Sequence, residues 1–284
     1  MTDVVNPAQE LSPERRKLLE LRLRARQAQV AGPELRPRPR PDGTAPLSAS
    51  QARLWFVERM EPGGGAYTAS FALRVRGPLD VPALRRALET VVARHEALRT
   101  TFAERDGVPV QVIHPPAPFP LPLIDLSGLS HDEREVELRR RGDADAAAGF
   151  DLEAGPLFRV TLVRLGDEEH ALLFAMHHIV TDGWSFGVLL RETGAAYAAL
   201  RAGRQPELPP LPVQYADFAL WEQEYLRGET LERLAAFWRQ AMAGAPPALE
   251  LPADHPRPER TTHAGGLVLR RVAPELAARL RELA

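Results

Sequence analysis

At 284 residues, the chain is long enough for one or two domains with a substantial core. Its 36 basic and 38 acidic side chains nearly cancel to a net charge of −2, which argues against a nucleic-acid surface. It has no cysteine, so a disulfide framework, a thiolate zinc site and a cysteine nucleophile are excluded.

No apolar run approaches about 18 residues, so no membrane helix is expected. The N-terminus lacks the apolar core of a secretory leader, and a cytoplasmic location is the default expectation. Ser12-Pro13-Glu14 reads as the start of a helix that runs to Val30 and stops at Gly32-Pro33. Residues 1–32 thus form a helical leader, either a solvated helix or a docking element. Residues 33–46 alternate Pro and Arg and read as an extended linker.

The globular body is expected from Leu47. Ser50–Met60 reads as a short helix, and Phe71, Leu73 and Val75 alternate with Ala72, Arg74 and Arg76 as a half-buried strand. Asp80 is placed to cap a helix carrying Leu84, Leu88, Val91, His95 and Leu98 on one stripe, which makes His95 a core histidine. Asp106-Gly107 between two apolar runs signals a hairpin. Ser130 and Glu133 fit a capping box for a helix to Ala148. Leu157–Leu165 and Ala171–Met176 read as adjacent strands. After Asp182-Gly183, helical spacing of Phe186, Leu189, Leu190, Thr193, Tyr197 and Leu200 runs to the Pro-rich 206–212. Helices over 213–227 and 230–243, a strand Gly266–Val272 and a helix Pro274–Ala284 complete the chain.

The chemistry concentrates in Met176-His177-His178-Ile179-Val180-Thr181-Asp182-Gly183-Trp184-Ser185. By strand alternation, Leu172, Phe174, Met176 and His178 share a face and His177 points the other way. His178 has the titration range of a general base. The residues alone equally fit a buried histidine followed by a turn aspartate that caps the next helix. Adjacent histidines on opposite faces do not readily share one ion, so no metal is expected. Gly183-Trp184-Ser185-Phe186-Gly187 matches a nucleophile elbow, but Asp182-Gly183 already makes the turn and no suitable downstream Asp and His pair follows.

Four segments in order resemble the condensation domain of nonribosomal peptide synthetases, within the chloramphenicol-acetyltransferase-like superfamily. They are Leu47-Ser48-Ala49-Ser50-Gln51-Ala52-Arg53-Leu54-Trp55, then Arg94-His95-Glu96-Ala97-Leu98-Arg99-Thr100-Thr101-Phe102, then the His-His-x-x-x-Asp-Gly stretch, then Tyr215-Ala216-Asp217-Phe218-Ala219-Leu220-Trp221. The resemblance implies an α/β (α+β) fold of two lobes, each a mixed sheet flanked by helices. Residues 47–220 would be the N-terminal lobe, 221–264 the connecting helices and Pro-rich crossover, and 265–284 the beginning of the second lobe.

The activity implied is amide-bond formation between a donor acyl or peptidyl thioester and the amine of an acceptor aminoacyl thioester. Upstream and downstream carrier proteins present both on 4′-phosphopantetheine arms, and the domain binds no cofactor of its own. Neighbouring synthetase modules are the expected partners, engaged through residues 1–32. The resemblance makes His178 the catalytic residue, which takes or positions the amine proton or stabilises the tetrahedral intermediate. His177 packs, Asp182 forms a structural ion pair with Arg99, and Gly183 admits a close approach of the turn. Trp184 and Ser185 complete the motif. Alternatives within the fold are an epimerisation domain, an acyltransferase relative, or a non-catalytic carrier-binding module. Heterocyclising relatives carry aspartates where this chain has His177 and His178.

Overall fold

The computed structural model describes residues 33–60, 65–246, 248–249, 252–256, 268 and 270–283. The leader helix expected over residues 12–30 and residues 266, 267 and 269 of the expected strand 266–272 lie outside the described residues, while 268 and 270–272 are not in a strand. The chain divides into two compact units, one ending at Met242 and one beginning at Ala243.

In the first unit a four-stranded sheet has the order β2 (Thr68–Arg76), β7 (Glu169–His177), β6 (Phe158–Gly166), β5 (Leu123–Asp125). β7 runs antiparallel to both neighbours, Phe71 facing Phe174 on one side and Phe158 facing Met176 on the other, while β5 is parallel to β6. Both flanks of β7 are therefore paired, which suits its continuous apolar run.

Its side chains divide by parity. Leu172, Phe174 and Met176 join Phe158, Val160 and Leu162 under α2 (Val81–Arg94) and α4 (Gly183–Arg201). Ala171 and Leu173 join Val163 and Leu165 under α3 (His131–Ala147). Helices thus cover both faces, and each fully buried Leu, Val or Phe contributes about 1.5–3 kcal/mol. Phe71 stacks on Phe174 at 4.4 Å and meets the edge of Phe186 at 4.4 Å, which ties β2, β7 and α4 together.

A second sheet, β1 (Thr44–Pro46), β4 (Val108–Ile113), β3 (Thr100–Arg105), lies beside α1 (Ala49–Met60). Its hairpin turns through Asp106 and Gly107, both at positive φ (52° and 76°), as the Asp-Gly pair predicts. Asp80 caps α2 by accepting from Ala83 N at 2.9 Å, and Ser130 and Glu133 cap each other at α3. After α4, helices α5 (Tyr215–Tyr225) and α6 (Gly228–Ala241) stand close to the expected ranges, and α7 (Pro274–Leu283) lies in the second unit. The mixed sheet flanked by helices agrees with the fold class expected from the motifs.

The Pro/Arg segment 33–46 differs from a free linker. Arg40 bridges Glu96, at 2.7 Å, and the buried Asp217 of α5. Arg38 pairs with Glu224, its backbone N–H reaches Asp217 at 2.9 Å, and the Trp221 indole donates to the Pro33 carbonyl. Thr44–Pro46 then pairs as an edge strand with β4. The segment is extended because of its prolines, yet its arginines find carboxylates distant in sequence.

Candidate functional site

β7 ends at His177, and the next residues form a turn with His178 exposed. The alternation holds to His177, which lies opposite Met176 and is only 2% exposed. It does not extend to His178, because that residue is already past the strand.

The turn is held from several sides. The His178 N–H donates to the Tyr67 carbonyl at 2.8 Å, and the Val180 N–H to the His177 carbonyl at 3.1 Å. The Ile179 N–H donates to His177 Nδ1 at 3.0 Å, and the Ile179 carbonyl accepts from Gln51 Nε2 of α1 at 3.3 Å. Gln51 is buried and also donates to Gln111 Oε1 at 3.2 Å. Ile179 itself packs with Leu47, Phe102, Phe150, Leu157 and Ala175.

His178 Nδ1 stands 3.4 Å from the Thr181 carbonyl. The contact is longer than an ordinary hydrogen bond; since a carbonyl only accepts, it suits the tautomer with the proton on Nδ1, in which the Nε2 lone pair is available to take a proton. An exposed imidazole in that tautomer, on a turn whose backbone groups are bonded, meets the geometric requirement of a general base.

Asp182 is the N-cap of α4. Its Oδ1 accepts from the Ser185 N–H at 2.8 Å and the Ser185 hydroxyl at 2.6 Å, and the Asp182 N–H donates to Ser185 Oγ at 3.3 Å. These bonds to Ser185 hold the Asp182 carboxyl below its ordinary pKa, with a smaller contribution from the nearby His178. The pairing with Arg99 expected from the motif is not what the structure shows. The Arg99 guanidinium donates to the His114 carbonyl and lies 3.8 Å from Glu96, one 3₁₀ turn away, while the Asp182 oxygen is taken by the helix cap.

Ser185 is used in the same cap, which leaves the elbow reading without support. Gly183 opens the helix, and an added Cβ would meet nothing within 4 Å. No close approach to Gly183 comes from the described residues. Trp184 projects outward, 82% exposed.

Beside the turn lies a cavity of about 250 Å³ lined by residues including Met176, Thr181, Trp184, Val188, Gln214 and Tyr215. His95 also lines it. Instead of a core histidine, it is the C-cap of α2, half-buried, with Nε2 2.7 Å from Glu192 Oε2. Arg94 Nε shares that carboxylate at 3.0 Å. The Tyr215 hydroxyl meets Ser48 Oγ at 3.0 Å. Sequence reasoning misses Glu192 and Gln214, since a lone Glu on a helix carries no local signal of its partner. Among the described residues, no group of three His, Asp or Glu side chains is gathered to hold a metal ion.

The family model described as "Condensation domain" matches residues 42–284. Chondramide synthase of Chondromyces crocatus is 44% identical over 262 residues, covering 92% of this chain and 7% of that protein. Phosphinothricin tripeptide synthetase PhsC of Streptomyces viridochromogenes is 41% identical over 284 residues, covering 100% of this chain and 26% of its own length.

Among solved structures, the complex of the X-domain and OxyB from teicoplanin biosynthesis matches with a TM-score of 0.72 at 39% identity, over 80% of this chain and 49% of that one. The first condensation domain of the calcium-dependent antibiotic synthetase, in complex with a substrate analogue, matches with a TM-score of 0.64 at 32% identity, over 72% and 48%. The chain spans about half of the solved domains and a small part of these synthetases. With the four motifs, the mixed sheet and the family match over most of its length, the chain belongs to the condensation-domain family of the nonribosomal peptide synthetases.

Proposed function

We propose that this chain supports amide-bond formation between two carrier-bound thioesters. The observation that carries the reading is His178: exposed, held on a bonded turn, with Nδ1 turned toward the Thr181 carbonyl. The acceptor amine attacks the donor thioester carbonyl, and His178 Nε2 takes the proton released from nitrogen. Collapse of the tetrahedral intermediate breaks the C–S bond, and the proton passes to the departing thiolate of the donor's phosphopantetheine arm. The lengthened acyl chain remains on the acceptor's arm. Tethering both reactants makes the encounter effectively intramolecular, where effective molarities reach roughly 10⁵–10⁸ M. No covalent intermediate on the protein is required, in keeping with the absence of cysteine and the use of Ser185 as a cap.

The phosphopantetheine groups enter with the carriers as part of the substrates. The carriers, the neighbouring modules and the docking role of residues 1–32 belong to this same proposal. The test is mass spectrometry of carriers loaded with donor and acceptor and mixed with the synthetase that contains this chain. A product of donor plus acceptor on the acceptor carrier is expected, and unchanged loaded carriers would overturn the reading.

A second reading, a docking platform, draws on the likeness to an X-domain whose structure was solved in complex with OxyB. It predicts carrier or protein binding with no ligated product.

A further inference from the structure

His177 is buried within the fold and does not line the cavity beside the turn. Its Nδ1 accepts from the Ile179 N–H at 3.0 Å, so that nitrogen carries no proton in the folded chain. The proton of the neutral ring is then on Nε2, which stands 3.5 Å from Glu58 Oε2 of α1. This is longer than an ordinary hydrogen bond but within charge–dipole range. The ring is flanked by the edge-on Phe150 at 6.2 Å and by Tyr67 at 6.4 Å. Glu58 is seven residues from Gln51, two turns along one face of α1, and Trp55 between them packs against the apolar cluster that holds Ile179. That helix face therefore reaches the turn twice: Gln51 grips the Ile179 carbonyl, and Glu58 faces the ring that grips the Ile179 N–H.

We infer that Glu58 is a positioning residue for the reactive turn: it keeps the His177 proton on Nε2, so that Nδ1 stays an acceptor for the Ile179 amide and His178 is presented in one orientation. The inference rests on the amide-forming reading only in its activity arm. Burial holds His177 below its ordinary pKa, so the ring is neutral near pH 7 and its tautomer is the property that Glu58 sets.

The experiment combines nitrogen NMR of ¹⁵N-histidine-labelled chain with single-turnover rates in the synthetase that contains it. In the parent protein the His177 Nε2 is expected to be protonated and Nδ1 bare. Glu58→Leu is expected to raise the Nδ1-protonated fraction, to speed exchange of the Ile179 amide at least tenfold and to slow turnover about tenfold, with carrier KM unchanged. Glu58→Gln, which keeps an oxygen acceptor, restores most of the rate.

His177→Asn places an amide oxygen near the Nδ1 position and is expected to retain turnover within about threefold, while His177→Leu loses at least tenfold more. An unchanged tautomer and amide exchange in Glu58→Leu, or equal losses in His177→Asn and His177→Leu, would overturn the inference. If the parent synthetase forms no amide product, the functional reading fails while the NMR arm still decides this one.

Discussion

At the scale of single residues, the motif's aspartate has a different task from the one the resemblance implies. Asp182 serves α4 rather than Arg99. Removing a cap of this kind costs about 0.5–2 kcal/mol. A double-mutant cycle of Asp182→Ala and Arg99→Ala, read by denaturant unfolding, is therefore expected to be additive within about 0.5 kcal/mol. A coupling of several kcal/mol would restore the ion pair. Gly183 faces open space at the first turn of a helix, so Gly183→Ala is expected to leave stability equal or raise it by up to about 1 kcal/mol. A loss of turnover in that stable variant would report crowding by a bound substrate or by another part of the synthetase.

Elements are legible where the signal is local. Asp80 and Ser130 announce their helices because a cap oxygen and the N–H that donates to it are three residues apart. Asp106-Gly107 announces the hairpin because both positions need positive φ. The extended segment 33–46 resembles a linker in sequence because its partners, Glu96, Asp217 and Glu224, are chosen by the tertiary fold. The short β5 escapes notice because three residues beside prolines show no periodicity. His95 misleads for a related reason: the helical stripe fits, but the helix stops at Arg94, and the cap residue turns toward Glu192. A consequence can be measured for the extended segment. Arg40→Ala leaves the carboxylate of Asp217, 2% exposed, without its cation, although the Arg38 and Gln214 amides still donate to it. The expected cost is about 3 kcal/mol in unfolding free energy. A change below about 1 kcal/mol would show that residues 33–41 are a passive tether after all.

For the whole molecule, acid stability follows from two buried histidines on β7. Burial is the leading cause that lowers both His177 and His170, the latter assisted by Arg164. Depressed folded-state values mean that the unfolded chain binds more protons once pH drops below about 6.5. Their contribution is complete above that pH and declines as pH falls toward the folded-state values. Urea unfolding is expected to show stability decreasing from pH 7 to pH 5, with a shallower slope in His177→Asn. A flat profile would mean that neither ring is neutral by burial. The family of the chain is legible in its motifs, and the sheet order around β7 explains why they converge. The first motif's α1, Tyr67 before β2 and the end of β7 meet at Ile179, a meeting that no single segment reveals.

The central claim is that His178, and no other group of the turn, moves the proton in amide formation. The direct measurement is the single-turnover rate of ligated-product formation by the synthetase carrying His178→Ala, alongside its melting temperature. General-base removal predicts a loss of about 10²–10⁴-fold. The exposed position of His178 predicts a melting temperature within about 2 °C of the parent. Turnover within threefold of the parent would contradict the account.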